Sequence, residues 1–320
     1  MPRNNKRQIA VSGSLAYDRI MNFPGRFQDH ILPGKIHSLS LSFTLDRERL
    51  SFGGTAGNIA YNLALLGEKP TILSVVGSDF LPYKRHLLQA GCNLRYLRED
   101  RLGLTAAAYV ITDSQDNQLA AFRPGPVFAG YAKQAVVSLK QASLAVVAAE
   151  AKGVMLEYCR LYRKERWPFI FDPGQALPLF SAGELLQAIR GAKVLIGNDY
   201  EIALIGKVLG LNQKELARLV DILVITKGAK GSELIQGREK VRVEAAKPKN
   251  ASDPTGAGDA YRAGLIKGML SGYNLRTCGR LAGLVAAYTV ERFGTQTHHF
   301  SPSQLEKRYY SNFREKIKIS

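Results

Sequence analysis

Short apolar runs alternate with helical patterns along most of this chain, and that alternation constrains the fold more than any other feature. Residues 8–11, 71–76, 142–148, 168–171, 193–196 and 221–226 are each short, apolar at consecutive positions and partly β-branched. A strand that is apolar at every position needs cover on both faces, as in a parallel sheet between two helical layers. Between these runs, 56–66 sets Ile59, Leu63 and Leu66 at helical spacing, and 131–139, 182–189 and 201–209 follow suit. The pattern predicts an α/β chain: an open, mostly parallel sheet with helices on both faces.

Two stretches interrupt it. Residues 17–51 lack a strong helical pattern and contain the alternating segment 36–43, which reads as half-exposed strand. Residues 105–112 and 118–122 flank a polar turn at 113–117 and read as a hairpin. The two insertions, approximately 14–52 and 98–124, are expected to form one small β-sheet beside a single domain of residues 1–320. No repeat, low-complexity stretch or long linker argues for a second domain.

Composition narrows the classes. With 46% hydrophobic and 22% charged residues the chain is neither disordered nor collagen-like. Cys92, Cys159 and Cys278 lie far apart with no CxxC pair. Neither a disulfide framework nor a structural zinc site is expected, and the reducing cytoplasm is the expected compartment. No apolar run of about 18 residues occurs. The basic residues 1–7 lead into no apolar signal core, so neither a membrane span nor export is expected. Forty-four Lys and Arg against 27 Asp and Glu leave a net charge of +17, which favours anionic partners such as nucleotides. The charges are scattered, as they are in any host with basic proteins. Without a zinc finger, RNA-recognition motif or basic helix, no specific nucleic-acid partner is expected.

The chemistry concentrates in Asp253-Pro254-Thr255-Gly256-Ala257-Gly258-Asp259-Ala260, followed at helical spacing by Ala263, Ile266, Met269 and Leu270. Gly256-Ala257-Gly258 at a helix start leaves backbone N–H groups unhindered where the helix dipole is positive, a site for an anion. Asp259, in the first turn, is placed to accept a proton from a hydroxyl nucleophile. A bare G-x-G-D is more often a glycine turn with a capping Asp, and the longer string changes that balance. No G-x-x-x-x-G-K-[ST] loop and no protein-kinase motif occurs. His298-His299 are adjacent and point apart on most backbones, which argues against a shared metal.

Four further elements accompany the string in order: Asp18 in Gly13-Ser14-Leu15-Ala16-Tyr17-Asp18, then Gly53-Gly54-Thr55-Ala56-Gly57-Asn58, Asn198-Asp199-Tyr200-Glu201, and Thr226-Lys227-Gly228-Ala229-Lys230-Gly231. Together the five resemble the ribokinase-like (PfkB) family of carbohydrate and nucleoside kinases over residues 12–295. The resemblance implies a three-layer αβα sandwich with a small β-sheet lid, and ATP-dependent phosphoryl transfer to an alcohol. It makes Asp259 the base and Gly256, Ala257 and Gly258 the anion hole. Asp18, Gly53, Gly54 and Asn58 would bind the acceptor, since one carboxylate accepts from two vicinal hydroxyls and the glycines let backbone approach. Asn198, Glu201, Thr226, Gly228 and Gly231 would serve ATP. Glu201 would orient a water on Mg²⁺, which keeps several waters beside phosphates. Lys227 or Lys230 would add charge or stay solvated. Asp253, with Thr255 and Gly294, lies where some members hold a monovalent cation such as K⁺. Arg123, directly after the hairpin, would reach a phosphate if the small sheet closes over the site. Exposed lid edges leave a monomer or a homodimer open.

Asp253-Pro254-Thr255 with Arg262, and less specifically Phe171-Asp172-Pro173-Gly174-Gln175, are most similar to bacterial and archaeal adenosine or nucleoside kinases. The expected acceptor is therefore the 5′-hydroxyl of a nucleoside, adenosine first, with Phe43 or Phe122 as candidate walls for the base. A ribokinase- or fructokinase-like sugar kinase, with the same fold and mechanism, stays open, although ribokinases more often lack the inserted proline. A non-catalytic nucleoside- or nucleotide-binding protein is the alternative of another class.

Overall fold

The computed structural model describes residues 7–31, 33–38, 40–115 and 117–319. Its elements run in chain order as β1 (Ile9–Ser12), β2 (Ala16–Asn22), β3 (Arg47–Gly53), α1 (Thr55–Leu65), β4 (Pro70–Leu73), β5 (Val75–Gly77), α2 (Leu81–Ala90), β6 (Arg98–Asp100), β7 (Ala106–Thr112) and β8 (Gln118–Arg123). There follow α3 (Tyr131–Leu139), β9 (Leu144–Val147), α4 (Lys152–Lys164), β10 (Phe169–Phe171), α5 (Ala182–Ile189), β11 (Val194–Asn198), α6 (Asp199–Leu209) and α7 (Gln213–Ala217). The last are β12 (Ile222–Thr226), β13 (Ser232–Gln236), β14 (Glu239–Val243), α8 (Ala257–Leu270), α9 (Leu275–Val290) and α10 (Pro302–Phe313).

The apolar runs build an eight-stranded sheet in the order β14-β13-β12-β11-β10-β9-β1-β4. Strands β4 to β12 of that order pair in parallel, and β13 and β14 add an antiparallel hairpin at one edge. Alternate side chains of one strand enter different cores. Ile9, Val11, Leu144 and Val146 pack with Ile59 and Leu63 of α1 and with α8 and α9. Ala10, Ala145 and Val147 pack on the opposite face with Val136 of α3, Met155 of α4 and Leu185 of α5. Two cores explain why no polar phase is visible in these strands.

β1 sits between β4 and β9, so the chain leaves it to one side and later returns on the other. Such a switch point opens a crevice at the carboxyl ends of the strands, where ligands bind in open α/β sheets.

A second, four-stranded sheet has the order β3-β2-β7-β8 and draws on both insertions. β2 pairs antiparallel with β3 and parallel with β7, with Asp18 opposite Ser51 and Ala108. The 113–117 turn is tied by the Asp113 carboxylate, which accepts from the N–H groups of Gln115 and Asn117. Two expectations fail. Among the described residues of 36–43, which leave out 39, there is no strand: Pro33–Ser38 is a 3₁₀ turn, and Phe43 packs on Phe23, Phe27 and His30. The run 71–76 breaks at Ser74, whose hydroxyl donates to the Gly13 carbonyl at 2.8 Å, and β5 pairs instead with β6.

Candidate active site

The first wall of the crevice comes from β2, β3 and the head of α1. Gly53 closes β3 beside Asp18: a Cβ there would lie 2.2 Å from Asp18 Oδ2. Any side chain at 53 would take the carboxylate's place. Gly54 answers a different demand, with φ +83° and a Cβ position only 2.6 Å from Ser14 O and Ala16 N. The turn it makes lets Ala56 N–H reach Ser14 O at 3.0 Å and starts α1. Burial, and then the charge of Asp253, push the Asp18 carboxyl up to about 6.

The second wall is the head of α8. Gly256 caps it at φ +77°, seated against Thr295, whose Cβ would be 2.9 Å from a Cβ at 256. Ala257 departs from expectation. Its N–H turns inward to Pro254 O at 3.2 Å, closing the turn that the proline begins. It is therefore not a free member of the anion cradle, and among the described residues no hydrogen bond engages the N–H groups of Gly256, Gly258 and Asp259.

Asp259 is half-buried one residue further on. Desolvation pushes its carboxyl up to about 7, with Arg262 and the Asn58 hydrogen bond acting against that and Asp172 and Asp18 with it. Asn58 Nδ2 donates to Asp259 Oδ2 at 2.8 Å, joining the first wall to the second. The Asn58 amide is itself held. Its Oδ1 accepts from Gln296 Nε2 at 2.9 Å and faces Thr295 Oγ1 at 2.7 Å. Gln296 Nε2 also reaches the Tyr83 hydroxyl at 2.5 Å, and that hydroxyl donates to Gly53 O at 2.8 Å. Asn58 thus holds Asp259 through one Nδ2 hydrogen, with its oxygen taken by Thr295 and Gln296. Thr295, Gln296 and Tyr83 carried no signal in the sequence, because each acts through a partner more than 200 residues away.

Asp253 ties the segment before α8 to the loop after α9. Oδ1 accepts from Thr255 N–H and Oδ2 from Gly294 N–H, each at 2.9 Å. The three residues assigned to a monovalent cation do converge, and this carboxylate already has a donor on each oxygen. A cleft of about 780 Å³ lies between the small sheet and this junction, lined by Asp18, Ser51, Val110, Asp253, Thr255 and Thr295. A second cavity of about 340 Å³ borders the Ser14-Leu15 turn. Phe122, Pro124, Val127, Phe128 and Leu179 line it, and Glu150 opens onto it. Burial pushes the Glu150 carboxyl up to about 8, and its Oε1 has no hydrogen-bond partner.

Phe122 therefore lines a cavity, whereas Phe43 belongs to its own aromatic cluster. Arg123 is not brought to the crevice floor: its Nη2 donates to Thr105 O at 2.8 Å, pinning the base of the hairpin. Asn198 and Glu201 form a capping box on α6, with Asn198 Oδ1 accepting from Glu201 N–H and Glu201 Oε2 accepting from Asn198 N–H, both at 2.8 Å. Thr226 ends β12, and Gly228 (φ +55°) and Gly231 (φ +86°) make the turn into β13. A Cβ at 231 would lie 2.0 Å from Val243 O. Lys227 is ion-paired with Glu233. The Tyr261 hydroxyl of α8 donates to Ser232 Oγ at 2.7 Å, holding this turn near the helix head.

Among the described residues no three His, Cys, Asp or Glu side chains cluster closely enough to hold a metal ion. His298 is buried against Asn62 and Thr289. A divalent ion here would depend on a ligand's phosphates. Glu201, with one oxygen outside its capping box, has the chemistry to order a water on it.

Comparison with known proteins follows this geometry. Residues 8–302 match the model of the pfkB family of carbohydrate kinases. The nucleoside kinase of Methanothermobacter thermautotrophicus is 33% identical, covering 95% of this chain and 96% of that protein. The structure of Burkholderia thailandensis nucleoside kinase in complex with inosine superposes with a TM-score of 0.85 at 33% identity, covering 97% of this chain and all of that one. The same enzyme in complex with ADP-inosine gives 0.82 at 35% identity, covering 98% of each chain.

Proposed function

The chain belongs to the pfkB family of carbohydrate kinases, with the ribokinase-like fold and a phosphotransferase activity toward alcohols, and from that premise we propose that it phosphorylates the 5′-hydroxyl of a nucleoside, adenosine among its acceptors, at the expense of ATP. The observation that carries the chemistry is Asp259 at the head of α8, held 2.8 Å from Asn58 Nδ2. Asp18, in the space that Gly53 leaves, accepts from the ribose hydroxyls. That contact turns the 5′-oxygen toward Asp259 Oδ1, the oxygen that Asn58 does not occupy. As the oxygen attacks the γ-phosphorus in line, Asp259 takes its proton. The N–H groups of Gly256 and Gly258 stabilise the charge on the transferred group. A carboxyl pushed up to about 7 suits this task, basic enough to accept a proton and still ionised in about half of the molecules at neutral pH. Asn198, Glu201, Thr226, Gly228 and Gly231 line the ATP side. Mg²⁺, when bound with the nucleotide, neutralises phosphate charge, and Glu201 would hold one of its waters. The small sheet acts as a lid that excludes water from the crevice.

The cavity beside Ser14-Leu15 favours a nucleoside over a free sugar. Its walls of Phe122, Pro124, Val127 and Phe128 offer an aromatic base apolar contact that ribose lacks. Burying one aromatic ring is worth about 3 kcal/mol, or roughly a hundredfold in kcat/KM. A coupled ATP-turnover assay with Mg²⁺ against adenosine, inosine, guanosine, cytidine, ribose, fructose and fructose 6-phosphate tests this. A nucleoside should lead ribose by about that factor. Ribose or fructose in the lead would make the chain a sugar kinase, and turnover of none would leave a nucleoside-binding protein. The same assay in sodium, potassium and choline salts decides whether the Asp253 junction holds a monovalent cation.

A further inference from the structure

Asp172 and Arg262, 90 residues apart, meet inside the protein. Arg262 Nη2 donates to Asp172 Oδ1 at 2.6 Å, and Nε faces Oδ2 in the same ion pair. The two side chains are 8% and 2% exposed. Arg262 lies one helical turn after Asp259, and a Cβ on Gly258 would come within 2.8 Å of its Nη1. The guanidinium is therefore packed against the first turn of α8.

A buried ion pair is weak evidence for stability, because desolvation offsets most of its attraction and apolar residues of similar volume often do better. The position of this one suggests another use. Asp259 accepts from the Asn58 amide of α1, and the charges that act on it are those of Arg262 on its own helix, Asp172 in the segment after β10 and Asp18 on β2. Glu201 of α6 is the remaining charge felt by Arg262.

We propose that the Arg262–Asp172 pair is a positioning element for Asp259: Arg262 keeps the carboxylate ionised for proton abstraction, and Asp172 holds the guanidinium back from closing onto it. A direct Arg262–Asp259 salt bridge would leave a carboxylate too weakly basic to take a hydroxyl proton, and without any cation the carboxyl would stay protonated. Burial raises the Asp259 carboxyl most; Arg262 opposes that and Asp172 adds to it, the signs this arrangement requires.

The inference rests on Asp259 as the base, so Asp259→Asn is measured alongside. The experiment is the pH profile of kcat/KM for Asp172→Asn, Arg262→Lys and the double variant Arg262→Met/Asp172→Asn. In Asp172→Asn the acidic limb should move to lower pH while the plateau rate falls. In the double variant, which leaves no lone buried charge and so has the best prospect of folding, the limb should move above wild type by about 1 unit, the low end of a neighbouring charge's effect. Arg262→Lys, which keeps the charge, should hold the limb near wild type. Limbs unmoved while rates or melting temperatures fall would make the pair purely structural and overturn the proposal. So would a double-variant limb at or below wild type. An active Asp259→Asn would instead remove the base reading itself, whereas an inactive one with unmoved limbs would sink this inference alone.

Discussion

Asp259→Asn separates catalysis from stability, and the two should move in opposite directions. The carboxyl is pushed from 3.8 to about 7, chiefly by desolvation. Below about pH 4 the folded and unfolded states both carry the proton, and the group contributes nothing. Between about pH 4 and 7 the unfolded state ionises while the folded state resists, so the wild type loses stability progressively, up to a plateau above pH 7. Three units at about 1.4 kcal/mol each set a ceiling near 4 kcal/mol. Asp259 is only half-buried, so water in the crevice screens part of this, and about 2 kcal/mol is expected. Asn keeps the shape, and its Oδ1 still accepts from Asn58 Nδ2. The variant should therefore melt several degrees above wild type at pH 8, at about 2–4 °C per kcal/mol, and alongside it at pH 4. Its kcat should fall by about 10²–10⁴-fold, the usual contribution of a general base. Equal melting temperatures at both pH values would refute burial as the cause of the shift. A variant keeping more than about a tenth of wild-type kcat would refute the base.

Gly53→Ala places a methyl 2.2 Å from Asp18 Oδ2, so acceptor kcat/KM should fall by about a hundredfold while the KM for ATP holds. Equal losses for both substrates would mean that Gly53 shapes the fold instead. Gly231→Ala meets Val243 O at 2.0 Å with φ +86° and should cost about 3 kcal/mol in urea titration. Gly228→Ala, with φ +55° and nothing within 4 Å, should cost only about 1 kcal/mol. Similar costs at the two positions would contradict the steric argument. Arg123→Met should leave the KM for ATP unchanged and cost about 1 kcal/mol of stability, since its guanidinium serves the Thr105 carbonyl. A large rise in that KM would restore its phosphate role.

The layered sheet was legible because burial on both faces erases polar phase from a strand, as in the run from Leu144 to Val147. Asp18, the Gly53-Gly54 turn and Asp259 were legible because local backbone demands and motif spacing coincide there. What escaped depends on distant partners. Ala257 lost its N–H to a proline turn that glycine spacing does not reveal. The partners of Asn58 escaped because Gln296 and Thr295, which claim its oxygen, lie in an ordinary-looking loop. Residues 36–43 alternate like a strand, yet Phe43 packs in a cluster with three rings, Phe23, Phe27 and His30. Arg262 and Asp172 each stood out in a motif, and only folding shows that they are one unit.

The charge balance reads differently once the crevice is known. The chain carries +17, yet its crevice gathers Asp18, Asp172, Asp253 and Asp259, with Glu201 close by, around one buried cation, Arg262. Mutual repulsion among these carboxylates contributes to the raised values of Asp18 and Asp259. The positive excess is scattered along the chain, Arg47 and Arg49 of the cleft included, and its exposed part acts at distances up to a Debye length, about 8 Å at physiological ionic strength. Steering of that kind changes encounter rates rather than the chemical step. Added salt should accordingly raise the KM for ATP and leave kcat nearly level; a matching fall in kcat would mean that exposed charges reach the transition state.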